Sequence, residues 1–225
     1  MMFMRFLKLS TSLNLKEIGD YPQIQTFKKG YDSSRPESCS RISRYDSEVP
    51  ALTFDFDGMQ LTKTAILTDC LNASYMSTLT GLLINDSFRS FISSKRIVEN
   101  MIYPVGLYRG DEKLPNKYSW LHYTKIYPEM INYKLSHFFL NHSEANFKQI
   151  PISSYEEYLR EQGITEFIID STYLVLRRNI ASSFDILRIG VIKYETYVTE
   201  EVKDEMVANG FTGLVYEPAD FLVID

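Results

Sequence analysis

Hydrophobic and polar residues alternate with a period of two in several short segments of the chain. Leu52, Phe54 and Phe56 share one face of such a segment, and polar residues occupy the other face. Asp57-Gly58, which follows, is a dipeptide typical of tight turns, so we predict a hairpin of two antiparallel strands there. Further strands are predicted over residues 3–15, 81–84, 101–108 and 117–126. The aromatic alternation in the last of these predicts a sheet with one covered face.

Helical periodicity appears in short segments that begin at a capping residue. Asn85, Ser154 and Thr199 each precede such a segment and are typical N-cap residues. Gly163 and Gly210 are expected to end the second and third helices, because glycine readily adopts the left-handed conformation of a helix C-terminus. We therefore predict three short capped helices.

These elements predict an α+β fold, with a mostly antiparallel sheet and a few short capped helices. We expect two parts that share one core. Residues 1–78 form a variable, β-rich N-terminal part, in which the polar, serine-rich segment 28–48 is a loop. Residues 79–225 form the α+β part.

Composition excludes several classes of protein. The chain has 225 residues, of which 44% are hydrophobic and 24% charged, which is typical of a globular protein. No segment approaches the roughly 18 apolar residues of a membrane span. The apolar, basic start fits a first strand better than a signal peptide. Cys39 and Cys70 are too few for a disulfide framework, so we expect a cytoplasmic protein with reduced cysteines.

Charge is unevenly distributed along the chain. Residues 1–150 contain 18 Lys and Arg against 15 Asp and Glu, whereas residues 151–225 contain 6 against 14, a net charge of −8. Nucleic-acid binding by this last third is not expected, because phosphates would be repelled. A basic protein partner would be attracted. The alternative is an acidic face that only maintains solubility.

Asp55 and Asp57 are the strongest candidates for catalysis. The string LTFDFDG at 52–58 resembles the first motif of haloacid-dehalogenase-type phosphotransferases, in which one aspartate attacks phosphate and a second acts as acid and base. That resemblance implies a magnesium-dependent phosphotransferase, and the hairpin offers an alternative explanation of both residues. His122, His137 and His142 lack the spacing of a zinc site. We predict no metal, no cofactor and no enzymatic activity.

Four segments of the α+β part resemble one group of immunity proteins from bacterial polymorphic toxin systems. These segments are GLLINDSFRSFI, KYSWLHYTKIYPEMINYKLSHF with Asn132 and Ser136, STYLVLRRNIASSFDILRI, and TYVTEEVKDEMVANGFTGLVYEPAD. The last, residues 196–220, is the most specific and is called the closing block below. The positions of the closing block that fit are Gly210, Thr212, Gly213, Tyr216, Glu217 and Pro218.

The resemblance implies a cytoplasmic antitoxin that neutralises a cognate secreted toxin by tight binding. Such a protein has no catalysis of its own. Combined with the acidic last third, it suggests a basic toxin domain as partner. The candidate toxin-binding residues are Glu200, Glu201, Asp204, Glu205, Glu156 and Glu157. A non-catalytic adaptor protein is a further alternative.

Overall fold

Three β-sheets organise the part of the chain that the computed structural model describes, which is residues 5–45, 49–51, 53–73, 81–115, 117–141, 147–165 and 168–225. The strands found there are β1 (Phe6–Thr11), β2 (Ile24–Phe27), β3 (Asp57–Leu61), β4 (Cys70–Leu71), β5 (Gly81–Asn85), β6 (Asn100–Arg109), β7 (Glu112–Lys113), β8 (Tyr118–Tyr123), β9 (His137–Asn141), β10 (Phe147–Ile150), β11 (Ile168–Leu176), β12 (Ile186–Leu187), β13 (Thr196–Thr199), β14 (Leu214–Pro218) and β15 (Leu222–Ile224).

Short helices connect these strands. They are α1 (Leu15–Ile18), α2 (Asp86–Ser93), α3 (Tyr155–Ile164), α4 (Arg178–Ala181) and α5 (Glu200–Ala208), with 3₁₀ segments at Cys39–Tyr45 and Pro128–Met130. The α+β fold predicted from the sequence is confirmed. No helix in the described ranges is long and apolar enough to cross a membrane.

The first sheet has the order β12-β13-β1-β14, the second β10-β9-β11-β15 and the third β2-β3-β6-β8-β5-β4, with β7 paired to β6. Neighbouring strands are antiparallel except for the β3–β6 and β11–β15 pairs. Residues 1–78 contribute β1 to the first sheet and β2, β3 and β4 to the third. The 3₁₀ segment Cys39–Tyr45 lies within the predicted loop 28–48, of which residues 46–48 fall outside the described ranges.

Two apolar clusters lie on opposite faces of the central strands of the third sheet. Leu121 and Tyr123 of β8 belong to the larger cluster, which also receives side chains from the other two sheets. Tyr118 and Trp120 of the same strand belong to the smaller cluster. Successive side chains of a strand point to opposite faces, so one strand serves both clusters. The expectation of one covered face for 117–126 is therefore wrong: every residue of β8 is buried.

The predicted helix starts are confirmed. Asn85 Oδ1 accepts a hydrogen bond from Phe88 N at 2.8 Å, and Thr199 Oγ1 accepts one from Val202 N at 3.3 Å. Gly210 lies just after α5 with φ +71°, as predicted. Gly163 does not end α3: the helix continues to Ile164, and Thr165 is its C-cap.

The predicted hairpin at Asp57-Gly58 is also wrong. Both residues lie inside β3, which pairs with β2 on one side and in parallel with β6 on the other. The preceding residues do not form a partner strand: Asp55 makes only an isolated bridge to Ser38. Leu52, assigned to the same strand face as Phe54 and Phe56, lies outside the described residues. The turn dipeptide was misleading because distant strands, β2 and β6, provide the pairing.

Candidate functional site

The four acidic residues of α5 form what we call the α5 acidic face: Glu200, Glu201, Asp204 and Glu205. The helix is held by its opposite side, where Val202 and Met206 are buried. Thr199 caps the helix, so the two glutamates of its first turn lie at the positive end of the helix dipole. The sequence thus places these carboxylates on the side of α5 that faces away from the core, where Glu200, Glu201 and Asp204 are exposed and Glu205 is half-buried.

Two of these four carboxylates are neutralised within the chain. Glu205 pairs with Lys95, just beyond the C-terminus of α2, and Asp204 pairs with its neighbour Lys203 at 2.6 Å. Glu200 and Glu201, both exposed, form no ion pair with any described residue. Glu201 adds to the field that raises the pKa of the Arg96 guanidinium, of which Asp185 is the main cause.

Glu156 and Glu157 lie in the first turn of α3 but have different roles. Ser154 Oγ accepts a hydrogen bond from Glu157 N at 3.2 Å, the expected cap. The Glu157 carboxylate accepts hydrogen bonds from Ser153 N and Ser153 Oγ, both at 2.7 Å, and these hold its pKa below the usual value. Ser153 therefore engages the Glu157 carboxylate. The Glu156 carboxylate is exposed, and hydrogen bonds from its own backbone N–H and the Ser154 hydroxyl lower its pKa.

A cavity of about 470 Å³ opens beside Glu156. Its lining comes from three segments, within residues 128–133, 153–156 and 177–180, and we call it the α3 cavity. The lining residues include Tyr133 and Tyr155, Ile131 and Ile180, and the exposed Glu129 and Glu156. Sequence reasoning included only Glu156 of these residues among the candidates.

The loop that carries Tyr133 is fixed to the second sheet. Asn132 N donates to Val175 O at 2.8 Å, and Ser136 N and Ser136 Oγ both donate to Asn132 O, at 3.1 and 2.8 Å. Ser136 Oγ in turn accepts from Val175 N at 2.9 Å. Asn132 and Ser136, two residues of the family resemblance, thus form a turn that positions Tyr133.

Tyr133 is buried, with 5% of its surface exposed, and its hydroxyl has no hydrogen-bond partner among the described residues. Burial raises the pKa of this hydroxyl, and the neighbouring Tyr155 and Tyr158 and the carboxylates of Glu156 and Glu129 raise it further. The approach of these two carboxylates to Tyr133 arises only in the folded chain. No local sequence signal predicts it, since it depends on the approach of α3 to a distant loop.

Arg177 is the one arginine in the lining of the α3 cavity, and the chain already holds it. Its Nε donates to Ile131 O at 3.2 Å, and its backbone N–H donates to Met130 O at 2.8 Å. The positive charge of Arg177 also helps to lower the pKa of the Asp225 carboxyl, which depends mainly on a hydrogen bond from Asn132.

Asp55 and Asp57, the candidate catalytic pair, are both paired with cations. Asp55 contacts Arg35 at 2.7 Å, and Asp57 contacts Lys113 at 2.7 Å and Lys28 at 3.4 Å. Burial opposes ionisation of Asp57, but the hydrogen bonds from Lys113 and Tyr108 prevail and its pKa lies below the usual value.

In the described ranges no group of three or more His, Cys, Asp or Glu side chains is placed to hold a metal ion. His142 lies outside those ranges. Cys39 and Cys70 are free and buried, and burial raises their pKa values to about 11 and about 12.

The closing block is attached to the rest of the chain by Asp69. The Asp69 carboxylate accepts hydrogen bonds from Thr212 N and Thr212 Oγ1, both at 2.7 Å, and from Asn85 Nδ2, also at 2.7 Å. Gly213 has φ +77°, and a Cβ there would lie 2.1 Å from the carbonyl oxygen of Cys70. Thr212 and Gly213, two of the residues that carry the family resemblance in this block, therefore stabilise the fold.

Comparison with known proteins adds no family to this description. A scan against protein-family models and a search of curated proteins found no match to the chain. The resemblance to immunity proteins stays a prediction from the sequence.

Proposed function

We propose that this chain is an immunity protein, which binds a cognate secreted bacterial toxin directly and blocks it without catalysing a reaction. The observation that carries the proposal is the exposed first turn of α5, where Glu200 and Glu201 form no ion pair with any described residue. Exposed carboxylates that form no ion pair are suited to attract a basic partner.

The family resemblance supports the proposal from a second direction. Its residues maintain the fold: Asn132 and Ser136 form a turn, and Thr212 and Gly213 attach the closing block. A shared fold leaves the contacts with the toxin to other residues, as expected when each inhibitor of a family binds its own partner. The unpaired carboxylates of α5 belong to that second group.

Co-expression with the product of the adjacent gene tests the proposal in cells. We expect the adjacent gene to encode a toxin that kills alone, and survival when the full chain is present. We also expect the two proteins to purify together. A toxin that still kills in the presence of folded, abundant chain would contradict the proposal.

The role of the α5 acidic face is tested with a neutral double variant. Glu200→Gln together with Glu201→Gln should lower the association rate about three- to tenfold at low salt, because charge steering is lost. The two rates should converge at high salt, where the field is screened. A denaturation curve accounts for the lost helix-dipole interaction, about 0.3–1 kcal/mol per charge.

A matched control is available in the turn between β6 and β7. Asp111 and Glu112 are adjacent, exposed acidic residues on the third sheet. Asp111→Asn together with Glu112→Gln removes the same charge and should leave the association rate close to that of the unchanged chain. If both double variants behave alike, the α5 acidic face does not direct binding.

A further inference from the structure

The α3 cavity combines three properties that suit the side chain of a basic residue. Its lining includes two tyrosines, Tyr133 and Tyr155, and two isoleucines, Ile131 and Ile180; Tyr133 and Ile131 are themselves buried. Cations are attracted to aromatic faces, and the long stems of lysine and arginine pack on apolar surface. Its volume of about 470 Å³ lies within the usual range of ligand-binding cavities.

Charge in the α3 cavity favours a cation. The Glu129 and Glu156 carboxylates are exposed at its lining, and neither forms an ion pair with a described residue. Glu156 is held ionised: its own backbone N–H and the Ser154 hydroxyl keep its pKa below the usual value. Arg177 is the opposing charge, so two carboxylates against one guanidinium leave the lining with a net charge of −1. The charge of Arg177 also acts on the Asp225 carboxyl, whose pKa it helps to lower.

The Tyr133 hydroxyl is a second, independent observation. It is buried and has no hydrogen-bond partner among the described residues, although buried hydroxyls are usually paired. It lies close enough to Glu129 and Glu156 for both carboxylates to raise its pKa. A hydroxyl without a described partner and two carboxylates without ion pairs therefore belong to residues that line the same cavity.

We propose that the α3 cavity receives the cationic side chain of an arginine or lysine from the partner toxin, against the residues Tyr133 and Tyr155 and beside the carboxylates of Glu129 and Glu156. This inference rests on the proposed function and names the contact that would anchor the complex. An anchor in a concave site, surrounded by weaker charged contacts, is the common arrangement at protein interfaces. The α5 acidic face then contributes to the rate of association, and the α3 cavity to the lifetime of the complex.

The cavity is probed first without the toxin. N-acetyl-arginine amide is titrated into the full chain, and its binding is followed by NMR chemical shifts. We expect saturable shifts at residues of the α3 cavity, and none with N-acetyl-norleucine amide, which has the stem without the charge. Asn179→Trp fills the mouth of the cavity from the exposed face of α4 and should abolish the shifts. Asp111→Trp, at an exposed turn of the third sheet, should leave them unchanged.

The same variants are then tested for binding of the adjacent gene's product. We expect Asn179→Trp, and Glu129→Gln together with Glu156→Gln, to weaken affinity at least about tenfold, mainly through faster dissociation. Asp111→Trp should bind as the unchanged chain does. Circular dichroism and denaturation curves establish that each variant is folded.

The outcomes separate the two proposals. If the unchanged chain does not bind the toxin, the proposed function fails, and this inference fails with it. If the unchanged chain binds but the cavity variants bind equally well, the inference alone is overturned. Absence of any shift with N-acetyl-arginine amide also overturns it, as does equal binding of the norleucine compound.

Discussion

Asp69 and the α3 cavity differ in how far their polar groups are hydrogen-bonded. The Asp69 carboxylate accepts three hydrogen bonds, which join β4, the start of α2 and the closing block. The Tyr133 hydroxyl, at the α3 cavity, is buried without a described partner. Both regions contain residues of the family resemblance. The Asp69 carboxylate is hydrogen-bonded, whereas the Tyr133 hydroxyl has no partner among the described residues. Residues that resemble those of a family can serve to stabilise the fold. Residues that bind a partner are then better sought among polar groups that have no hydrogen-bond or ion-pair partner within the described part of the chain.

The largest effect is expected from Gly213→Ala. The residue has φ +77°, and its new Cβ would meet the Cys70 carbonyl oxygen at 2.1 Å, so the backbone must shift. We expect the free energy of unfolding to fall by about 3 kcal/mol or more, measured by urea denaturation.

Gly210→Ala is the matched control for this variant. Gly210 has a similar φ of +71°, but a Cβ there would meet nothing within 4 Å. Its cost should be only that of the left-handed conformation, about 1–2 kcal/mol. Equal losses for both variants would show that the close approach to Cys70 is unimportant.

Asp69→Ala should follow in size. It removes the acceptor of hydrogen bonds from Thr212 and Asn85, and therefore weakens both the closing block and the cap of α2. We expect a loss of about 2–3 kcal/mol in the free energy of unfolding, because bonds to a charged group are among the stronger ones. Asp111→Ala, at an exposed turn, should change it by less than about 0.5 kcal/mol. If Asp69→Ala loses no more stability than Asp111→Ala, the hydrogen bonds of Asp69 do not stabilise the closing block or α2.

Tyr118 and Tyr133 differ in whether the hydroxyl is hydrogen-bonded, so their phenylalanine variants can be compared. Tyr118 Oη donates to Thr68 O at 2.6 Å, so Tyr118→Phe should cost about 1–2 kcal/mol of stability. Tyr133→Phe removes a hydroxyl without a described partner and should leave the free energy of unfolding unchanged within about 0.5 kcal/mol, or raise it slightly. Thermal or urea denaturation measures both. A substantial loss in Tyr133→Phe would mean that its hydroxyl is already engaged.

The last prediction concerns the dependence of stability on pH. Arg96 holds the pKa of Asp185 below its usual value, mainly by a side-chain hydrogen bond. A lowered pKa in the folded state stabilises the fold above the unfolded pKa of Asp, about 4, and this contribution is lost as the pH falls through the folded pKa. The difference in stability between the unchanged chain and Asp185→Asn should be about 1 kcal/mol at pH 6, since Arg96 is exposed, and should shrink below pH 4. A difference that does not depend on pH would contradict this.

Local features of the fold could be predicted from the sequence, and long-range ones could not. Asn85, Ser154 and Thr199 were identified as caps because the signal lies within four residues of the helix start. The turn at Asp57-Gly58 was predicted wrongly, because β3 pairs with β6, about fifty residues away in sequence.

The candidate site divides in the same way. The acidic residues of α5 and α3 were proposed as toxin-binding residues from charge, helix position and the family resemblance, and they stay a prediction. The α3 cavity was missed because it requires the loop of Tyr133, the start of α3 and α4 to meet in space. Each of the three segments can be identified in the sequence, but the contact between them depends on the tertiary fold.

The central claim is that this chain acts by occupying the surface of a toxin. The most direct measurement is a calorimetric titration of the purified product of the adjacent gene with the full chain, with the toxin's activity assayed at each step. We predict a saturable complex of one chain per toxin, with a dissociation constant of about 10⁻⁷ M or tighter, and loss of toxin activity in proportion to the complex formed. Full toxin activity in the presence of excess chain would contradict the account.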